Sequence, residues 1–274
     1  MRLPSPRAAL AAVGRGLRRL LPAIIATAAA GAVIALLGLG YRFVTTSPRF
    51  AITAFEFHGN RHRTDAELRA QLPVADGANL FSTHVGRLTE ALRRDPWLAE
   101  VDIERRLPHT LVVTVREREP AAVLELDGLY LADATGAPFK RLDPTATRRE
   151  DEGLPIITGL GRAEMSADPT AAAATVRAAL AVRTAWLAGA TRPELGELHL
   201  DPRGGLTLHT LDDAIAVRLG PAAWQGDDAD LAARLRQFDL TWSALSPSER
   251  ARVRTLHLDH DTRPDHVTVA LADA

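Results

Sequence analysis

Residues 101–116, VDIERRLPHTLVVTVR, decide the fold of the chain around them. Val101 and Ile103 alternate with acidic residues, and every second side chain of residues 111–116 is a large aliphatic one. This period of two predicts two β-strands that are joined through residues 107–110 as a hairpin. Because one face of the hairpin is apolar, other parts of the chain must cover it.

A first amphipathic helix is predicted before the hairpin. Residues 64–67, TDAE, form a capping box, in which the threonine hydroxyl meets the backbone N–H three residues on and the glutamate reaches back. Leu68 and Leu72 then fall on one face, and Pro73 ends the helix.

A second helix is predicted with Ser82 or Thr83 as its N-cap and an end before Pro96. Its apolar face is formed by Val85, Leu88 and Leu92. A strand over residues 50–57, closed by the turn pair Gly59-Asn60, precedes both helices. The predicted order is therefore β-α-α-β-β, a small α+β domain.

Three motifs within this order carry a specific resemblance. They are GANLF at residues 77–81, DPW at residues 95–97 and RLPHTLVVTVREREP at residues 106–120. In this order they resemble the POTRA domain of the FtsQ/DivIB family of bacterial cell-division proteins. The resemblance implies a single N-terminal membrane anchor, a POTRA domain and a C-terminal β domain.

The chain beyond residue 120 follows the same family pattern. Strands are predicted at residues 122–126, 129–133, 154–159, 198–200, 206–208, 215–219, 253–259 and 266–271. Asp168-Pro169 begins an alanine-rich helix whose inward side chains are predicted to be Val176, Leu180 and Leu187. A last helix from about Asp228 buries Leu231, Leu235, Phe238 and Trp242. These elements predict a mixed α/β sheet domain, the β domain of the family.

An uncharged run, LLPAIIATAAAGAVIALLGLGY at residues 20–41, lies before both domains. As a helix it reaches about 33 Å, close to the roughly 30 Å hydrocarbon core of a bilayer. Five arginines and no acidic residue precede it, so the N-terminus is predicted to stay in the cytoplasm and the remainder to be exported. The alternative is a cleaved signal peptide, for which Ala28, Ala29 and Ala30 offer a small-residue cleavage site.

Charge and composition limit the partners of the exported part. Residues 1–49 hold seven of the 33 basic residues and no acidic residue. Residues 50–274 therefore hold 26 basic and 34 acidic residues, which gives this part of the chain a net charge of −8. Such a balance argues against nucleic acid as a partner. The chain has no cysteine, which excludes disulfides and thiolate metal sites and fits an oxidising compartment.

No pattern typical of catalysis emerges. The best metal candidates, His257, Asp259, His260, Asp261 and His266, lack the fixed spacing of a helical zinc motif, and His58 and His62 flank a turn. The serines at 82, 166, 243, 246 and 248 lie outside nucleophile motifs, and residues 202–205, PRGG, lack the context of a phosphate loop. Glu117 and Glu119 read as solvated strand residues, and Trp97 and Trp242 as core residues. No cofactor, metal or small-molecule substrate is expected.

Binding through a sheet edge remains. The last predicted strand, residues 266–271, has only three residues after it to cover its outer side, and an open edge can accept a partner strand. The predicted partner-binding residues are Leu256, Leu258, His266, Val267, Thr268, Val269, Ala270 and Leu271. The family resemblance implies that FtsB and FtsL, both membrane-anchored, bind at these strands and that the POTRA domain helps recruitment to the septum.

The predicted organisation is a cytoplasmic tail at 1–19, a transmembrane helix at 20–41, a linker at 42–49, a POTRA domain at 50–120 and an FtsQ-type β domain at 121–274. The predicted function is a non-enzymatic scaffold of the division septum in the inner membrane, which regulates septal peptidoglycan synthesis. A POTRA-bearing transport or assembly component and a periplasmic enzyme with an unrecognised site are the alternatives.

Overall fold

The computed structural model describes residues 6–143, 145, 151–211, 215–226, 228–260 and 266–272. Two compact units divide the chain, residues 1–117 and residues 118–274. Each has its own hydrophobic core. The fold is α+β, with an N-terminal apolar helix followed by two domains built on separate sheets.

The first unit begins with one long helix, α1 (Pro6–Thr46). It starts within the predicted tail and continues through most of the predicted linker, so the helix is longer than the apolar run alone. Its segment Leu21–Thr46 has the length and composition to cross a membrane, and none of that segment is buried. A short 3-10 helix, Pro48–Phe50, follows at once.

The rest of the first unit has the predicted β-α-α-β-β order. Its elements are β1 (Ala54–His58), α2 (Asp65–Gln71), α3 (Val85–Leu92), β2 (Leu98–Arg106) and β3 (Thr110–Glu117). The sheet order is β1-β3-β2, with β1 parallel and β2 antiparallel to β3. Leu68, Leu72, Leu88 and Leu92 from the helices pack against Ile103, Leu111, Val113 and Val115 of the hairpin.

Two local predictions for this unit need correction. The strand predicted from residue 50 begins only at Ala54, because residues 48–50 form the 3-10 helix. The N-cap of α3 is His84 rather than Ser82 or Thr83. Both of those hydroxyls donate to the carbonyl oxygen of Asn79, at 3.1 and 2.8 Å, and so stabilise the preceding loop instead of the helix. The capping box at Thr64 and Glu67 is confirmed.

The second unit contains a nine-stranded mixed sheet in the order β12-β11-β10-β9-β8-β7-β4-β5-β6. The strands are β4 (Pro120–Glu125), β5 (Leu129–Asp133), β6 (Pro138–Arg141), β7 (Ile156–Thr158), β8 (Leu195–Leu200), β9 (Leu206–Thr210), β10 (Ala216–Leu219), β11 (Val253–His257) and β12 (Thr268–Leu271). The β4–β7, β7–β8 and β10–β11 pairs are parallel, and the other pairs are antiparallel.

Within the described residues, five helices accompany this sheet: α4 (Arg162–Ala167), α5 (Pro169–Leu187), α6 (Pro221–Gln225), α7 (Asp228–Ala244) and α8 (Pro247–Arg250). Asp168 caps α5 as predicted, and its carboxylate accepts the N–H groups of Thr170 and Ala171. The buried side of α5 is only partly as predicted. Val176 is buried, Leu180 is half-buried and Leu187 is exposed. Small and aromatic side chains form the inner stripe instead: Ala172, Ala179, Val182 and Trp186.

Candidate partner-binding edge

The C-terminal strand β12 forms one edge of the nine-stranded sheet. It pairs with β11 in antiparallel register, with Val269 opposite Leu256 and Thr268 opposite His257. Within the described residues no strand pairs with its other side. The backbone N–H and C=O groups on that side are therefore available to a strand from another chain.

Arg252, which directly precedes β11, is hydrogen-bonded to Ala272, which directly follows β12. The N–H of Ala272 donates to the carbonyl oxygen of Arg252 at 2.7 Å, and the Arg252 guanidinium donates back to the carbonyl oxygen of Ala272 at 2.9 Å. At the other end, His260 Nε2 lies 2.9 Å from the Thr268 hydroxyl. Sequence reasoning missed Arg252, because nothing in the pattern relates it to a strand 20 residues away. These contacts hold both ends of the edge strand in place.

The predicted binding residues occupy two different environments. Leu256 and Leu258 are fully buried, and β11 is paired on both sides. Both side chains stabilise the sheet, and we assign them to the core rather than to a partner-binding surface. Val267 and Val269 are half-buried and pack against the same core, whereas His266, Thr268, Ala270 and Leu271 are exposed. The edge proper thus consists of residues 266–272.

The opposite edge of the same sheet is protected against strand addition. β6 begins with Pro138, which has no N–H to donate, and ends with Lys140 and Arg141. Proline and charge are among the usual devices that prevent edge-to-edge association. β2, an edge strand of the first unit, carries five charged residues among its nine. β12, with the sequence TVAL, has neither proline nor charge.

Two of the candidate metal ligands, His257 and Asp259, lie close together in the described part of the chain. His257 Nδ1 lies 3.4 Å from Asp259, whose other oxygen lies 3.8 Å from Arg218. Asp261 lies outside the described residues, among which no group of three potential ligands could hold a metal ion. His58 is exposed at the end of β1, whereas His62 stacks on Trp97 with ring centroids 4.5 Å apart.

The serine hydroxyls are occupied by structural contacts. Those of Ser82, Ser166 and Ser243 each donate to a main-chain carbonyl oxygen, and that of Ser246 takes part in a capping box with Glu249. Glu117 was predicted to be a solvated strand residue, but its carboxylate is hydrogen-bonded within the first unit. Its carboxylate accepts the N–H groups of His62 and Arg63, at 2.7 and 2.9 Å. Trp97 and Trp242 are buried, as predicted.

One surface depression offers no catalytic combination among the described residues. Its volume is about 410 Å³, and its lining is Val123, Leu129, Asp151, Glu152, Gly153, Leu154 and Ile156. Two adjacent carboxylates are the only ionisable groups in this lining. A general acid–base or nucleophilic site needs a second type of group within hydrogen-bonding reach.

Comparison with known proteins gives two family matches. Residues 50–118 match the model of the POTRA domain, FtsQ-type, and residues 122–260 match that of Cell division protein FtsQ/DivIB, C-terminal. The second match stops before β12.

Curated relatives cover most of the chain. A Cell division protein FtsQ from Anaeromyxobacter sp. (strain K) is 35% identical over 262 residues, which are 95% of this chain and 84% of that protein. One from Myxococcus fulvus is 34% identical and covers 83% of this chain and 76% of its own length. One from Bordetella pertussis is 26% identical and covers 84% of this chain and 83% of its own length.

Proposed function

This chain belongs to the FtsQ/DivIB family of cell division proteins, and we propose that it acts as a non-enzymatic scaffold of the septal ring. In this proposal α1 anchors it once in the inner membrane, with the N-terminus in the cytoplasm and both domains in the periplasm. The open side of β12 binds the membrane-anchored partners FtsB and FtsL. Through them the protein regulates septal peptidoglycan synthesis at the division site.

The unprotected edge at β12 is the observation that carries this proposal. A strand added beside residues 268–271 would continue a sheet that is already nine strands wide. Its side chains on the inner face would extend the core to which Val267 and Val269 contribute. A partner strand with apolar residues at alternate positions therefore fits, because the two faces of the edge differ in polarity.

Backbone pairing alone would give a weak complex. About four added hydrogen bonds at about 1 kcal/mol each amount to roughly 4 kcal/mol. Micromolar affinity needs about 8 kcal/mol. Burial of the exposed part of Leu271 adds to this value, and anchoring both partners in one membrane raises their effective concentration. The edge thus suits membrane-anchored partners better than freely diffusing ones.

Orientation follows from charge. Arginines at positions 2, 7, 15, 18 and 19 precede the apolar segment, whereas residues 50–274 carry the acidic excess. Basic residues near the first membrane helix are retained in the cytoplasm. A periplasmic reporter fused after Ala274 should therefore be active, and activity of a cytoplasmic reporter alone would invert the proposed topology.

The binding proposal is tested by placing a charge on the edge. Leu271→Lys in the full-length protein should reduce co-purification with FtsB and FtsL at least tenfold, because a lysine at an edge position opposes strand addition. Leu129→Lys is the matched control, since Leu129 is also a leucine with 41% exposure and lies in β5, near the protected edge. Equal co-purification of both variants and the parent protein would refute binding at β12.

The alternatives have less support. The match of residues 122–260 to the FtsQ/DivIB C-terminal domain favours a division protein over a POTRA-bearing transport component. The family is not a known enzyme family. The serine and carboxylate contacts described above favour structural roles for the candidate catalytic side chains, so we propose no cofactor, nucleic-acid partner or small-molecule substrate.

A further inference from the structure

The end of α1 is bonded directly to the domain that follows it. The Asn79 side-chain amide donates to the carbonyl oxygens of Val44 and Ser47, at 2.9 and 3.3 Å. Its own Oδ1 accepts the N–H of Phe81 at 2.9 Å. The N–H of Leu80 donates to the carbonyl oxygen of Phe50 at 2.7 Å. The loop around residues 79–81 therefore lies against the last turn of the helix.

This attachment fixes the depth of the loop relative to a membrane. Val44 is three residues beyond Tyr41, about 4.5 Å along the axis of a helix. The headgroup layer on each side of a bilayer is about 5–7 Å thick. If the hydrocarbon core ends near Tyr41, then the loop at Asn79 and Phe81 lies at the level of the headgroups.

Exposed apolar side chains occur at this end of the unit. Phe43, Phe81 and Leu107 are 59%, 39% and 60% exposed. Phe81 contacts Phe50 edge to face, with ring centroids 5.0 Å apart. Single exposed apolar residues are ordinary, but three at the end of the unit that adjoins α1 offer apolar side chains of the types that enter the boundary between headgroups and acyl chains.

Hydrogen bonds place Leu107 at the same end as Phe81. Leu107 lies in the turn between β2 and β3, and the His109 carbonyl oxygen of this turn accepts the N–H of Thr53 at 3.0 Å, before β1 begins. Arg105, at the end of β2, donates to the carbonyl oxygens of Leu80 and Thr83, both at 2.8 Å. The turn and the loop that Asn79 bonds to α1 are therefore neighbours.

Positive charge accompanies these apolar side chains. Arg42 and Arg49 are exposed on either side of the helix end. No acidic residue occurs in the sequence before Glu56. An arginine at headgroup depth can donate hydrogen bonds to lipid phosphates in bidentate geometry.

We propose that Phe43, Phe81, Leu107, Arg42 and Arg49 form a membrane-contact patch that seats the first domain in the headgroup layer of the outer leaflet. The phenyl rings and the leucine lie at the boundary with the acyl chains, and the arginines bind lipid phosphates. The patch fixes the orientation of the first domain relative to the membrane surface. This inference rests on the part of the proposed function that makes α1 a transmembrane anchor.

The absence of cysteine in the chain permits a direct test. Single cysteines replace Phe81, Leu107, Ile34 or His58 in the full-length protein, and each is labelled with the fluorophore NBD. Ile34 reports on the anchor, and His58, exposed at the far end of β1, reports on a position about 13 Å further from the patch along the strand. The proteins are placed in vesicles of phosphatidylethanolamine and phosphatidylglycerol that contain nitroxide-labelled lipids.

Headgroup-level nitroxides should quench NBD at 81 and 107 several-fold more than NBD at 58, and iodide in the water should quench these two positions several-fold less than position 58. One contrary result is that iodide quenches NBD at positions 81 and 107 as readily as at position 58, while lipid nitroxides quench NBD at position 34. The patch then lies in water although α1 spans the membrane. If neither lipid nitroxides nor iodide reach 81 and 107, protein covers the patch. Either result overturns the membrane contact alone. Loss of lipid quenching at 34 overturns the anchor and the proposed function with it.

Discussion

The Asp95 carboxylate lies 2.7 Å from the Arg63 guanidinium and joins two segments of the first unit that are 32 residues apart in the chain. The same carboxylate accepts hydrogen bonds from the Gln71 amide and from the N–H of Trp97. Next to it, His62 stacks on Trp97 and bonds to Glu117. The segment between β1 and α2 is thus fixed by two buried acidic groups.

Lowering the pH should reduce the stability of the first unit, because the Asp95 and Glu117 carboxylates become protonated. Burial raises the pKa of Asp95, but the hydrogen bonds from Arg63, Gln71 and Trp97 outweigh burial and hold that pKa below the ordinary 3.8. Backbone N–H groups of His62 and Arg63 likewise keep the pKa of Glu117 below 4.5 despite burial. Since both pKa values are lower in the folded state, their stabilising contribution is complete above those ordinary values and is lost as pH falls through the folded values. Urea unfolding over a pH series should show this loss.

Asp95→Asn isolates the contribution of Asp95 to this effect. The substitution keeps the shape but removes the charge that Arg63 contacts, so we expect a loss of about 2–3 kcal/mol in the free energy of unfolding at neutral pH. The acid-dependent loss should also become smaller. Asp76→Asn is the control, because Asp76 is fully exposed and lies 3.4 Å from Arg69. Equal effects of the two substitutions would contradict a special role for Asp95.

The turn at Gly59 requires glycine. Its φ is +86°, and a Cβ atom there would lie 2.0 Å from the carbonyl oxygen of Val115. Gly59→Ala should therefore destabilise the first unit by more than about 2 kcal/mol, through backbone strain and the displacement of β3. Gly86→Ala in α3 is the matched control, because a Cβ there meets nothing within 4 Å and alanine favours a helix. In thermal unfolding, the midpoint temperatures of the two variants should shift in opposite directions from that of the parent protein, or should differ from each other by several degrees.

Local patterns predicted the first unit well. Its strands alternate in polarity, and α2 begins with a capping box, so these elements carry their own signal in a few adjacent residues. The N-cap of α3, one of the two local predictions that needed correction, shows the limit. Ser82 and Thr83 are good capping residues, but both hydroxyls donate hydrogen bonds to the carbonyl oxygen of Asn79 instead. A competing local bond cannot be read from the residue type alone.

Sequence patterns in the second unit predicted where helices and strands occur better than they predicted which side chains are buried and which strands are neighbours. The spacing in α5 predicted Val176, Leu180 and Leu187 as the inward side chains. Val176 is buried, but alanines and Trp186 form much of the rest of the buried side, and Leu187 is exposed. Close packing of a helix on a sheet favours small residues, which hydrophobicity does not distinguish. At the candidate edge, alternation correctly located the strands, but only the sheet order shows that β11 is interior and β12 is not. Strand order depends on contacts between residues far apart in sequence.

Arg192 joins two helices of the second unit and should not tolerate lysine. Its guanidinium donates to both oxygens of Asp239 at 2.7 Å and to the carbonyl oxygens of Ala185 and Trp186 near the end of α5. A lysine cannot make this planar, bidentate contact together with the two carbonyl contacts. Arg192→Lys should therefore lower the free energy of unfolding by about 1.5–3 kcal/mol. Arg218→Lys, at an exposed and longer ion pair with Asp259, should change it by less than about 0.5 kcal/mol, and a change as large as that of Arg192→Lys would refute the argument.

The bond from Asn79 to the helix end predicts a stiff junction between α1 and the first domain. Asn79→Ala removes the hydrogen bonds to Val44 and Ser47, so the domain should move more freely about residues 47–50. Spin labels at cysteines replacing Ile34 and His58 should then give a broader distance distribution by pulsed electron resonance in vesicles. Ser82→Ala is the control, because it removes only a hydroxyl that donates to the Asn79 carbonyl oxygen and leaves the side-chain amide in place. A distribution that stays as narrow in Asn79→Ala as in Ser82→Ala would show that the 3-10 helix and the backbone bonds of Phe50 and Ile52 suffice to hold the junction.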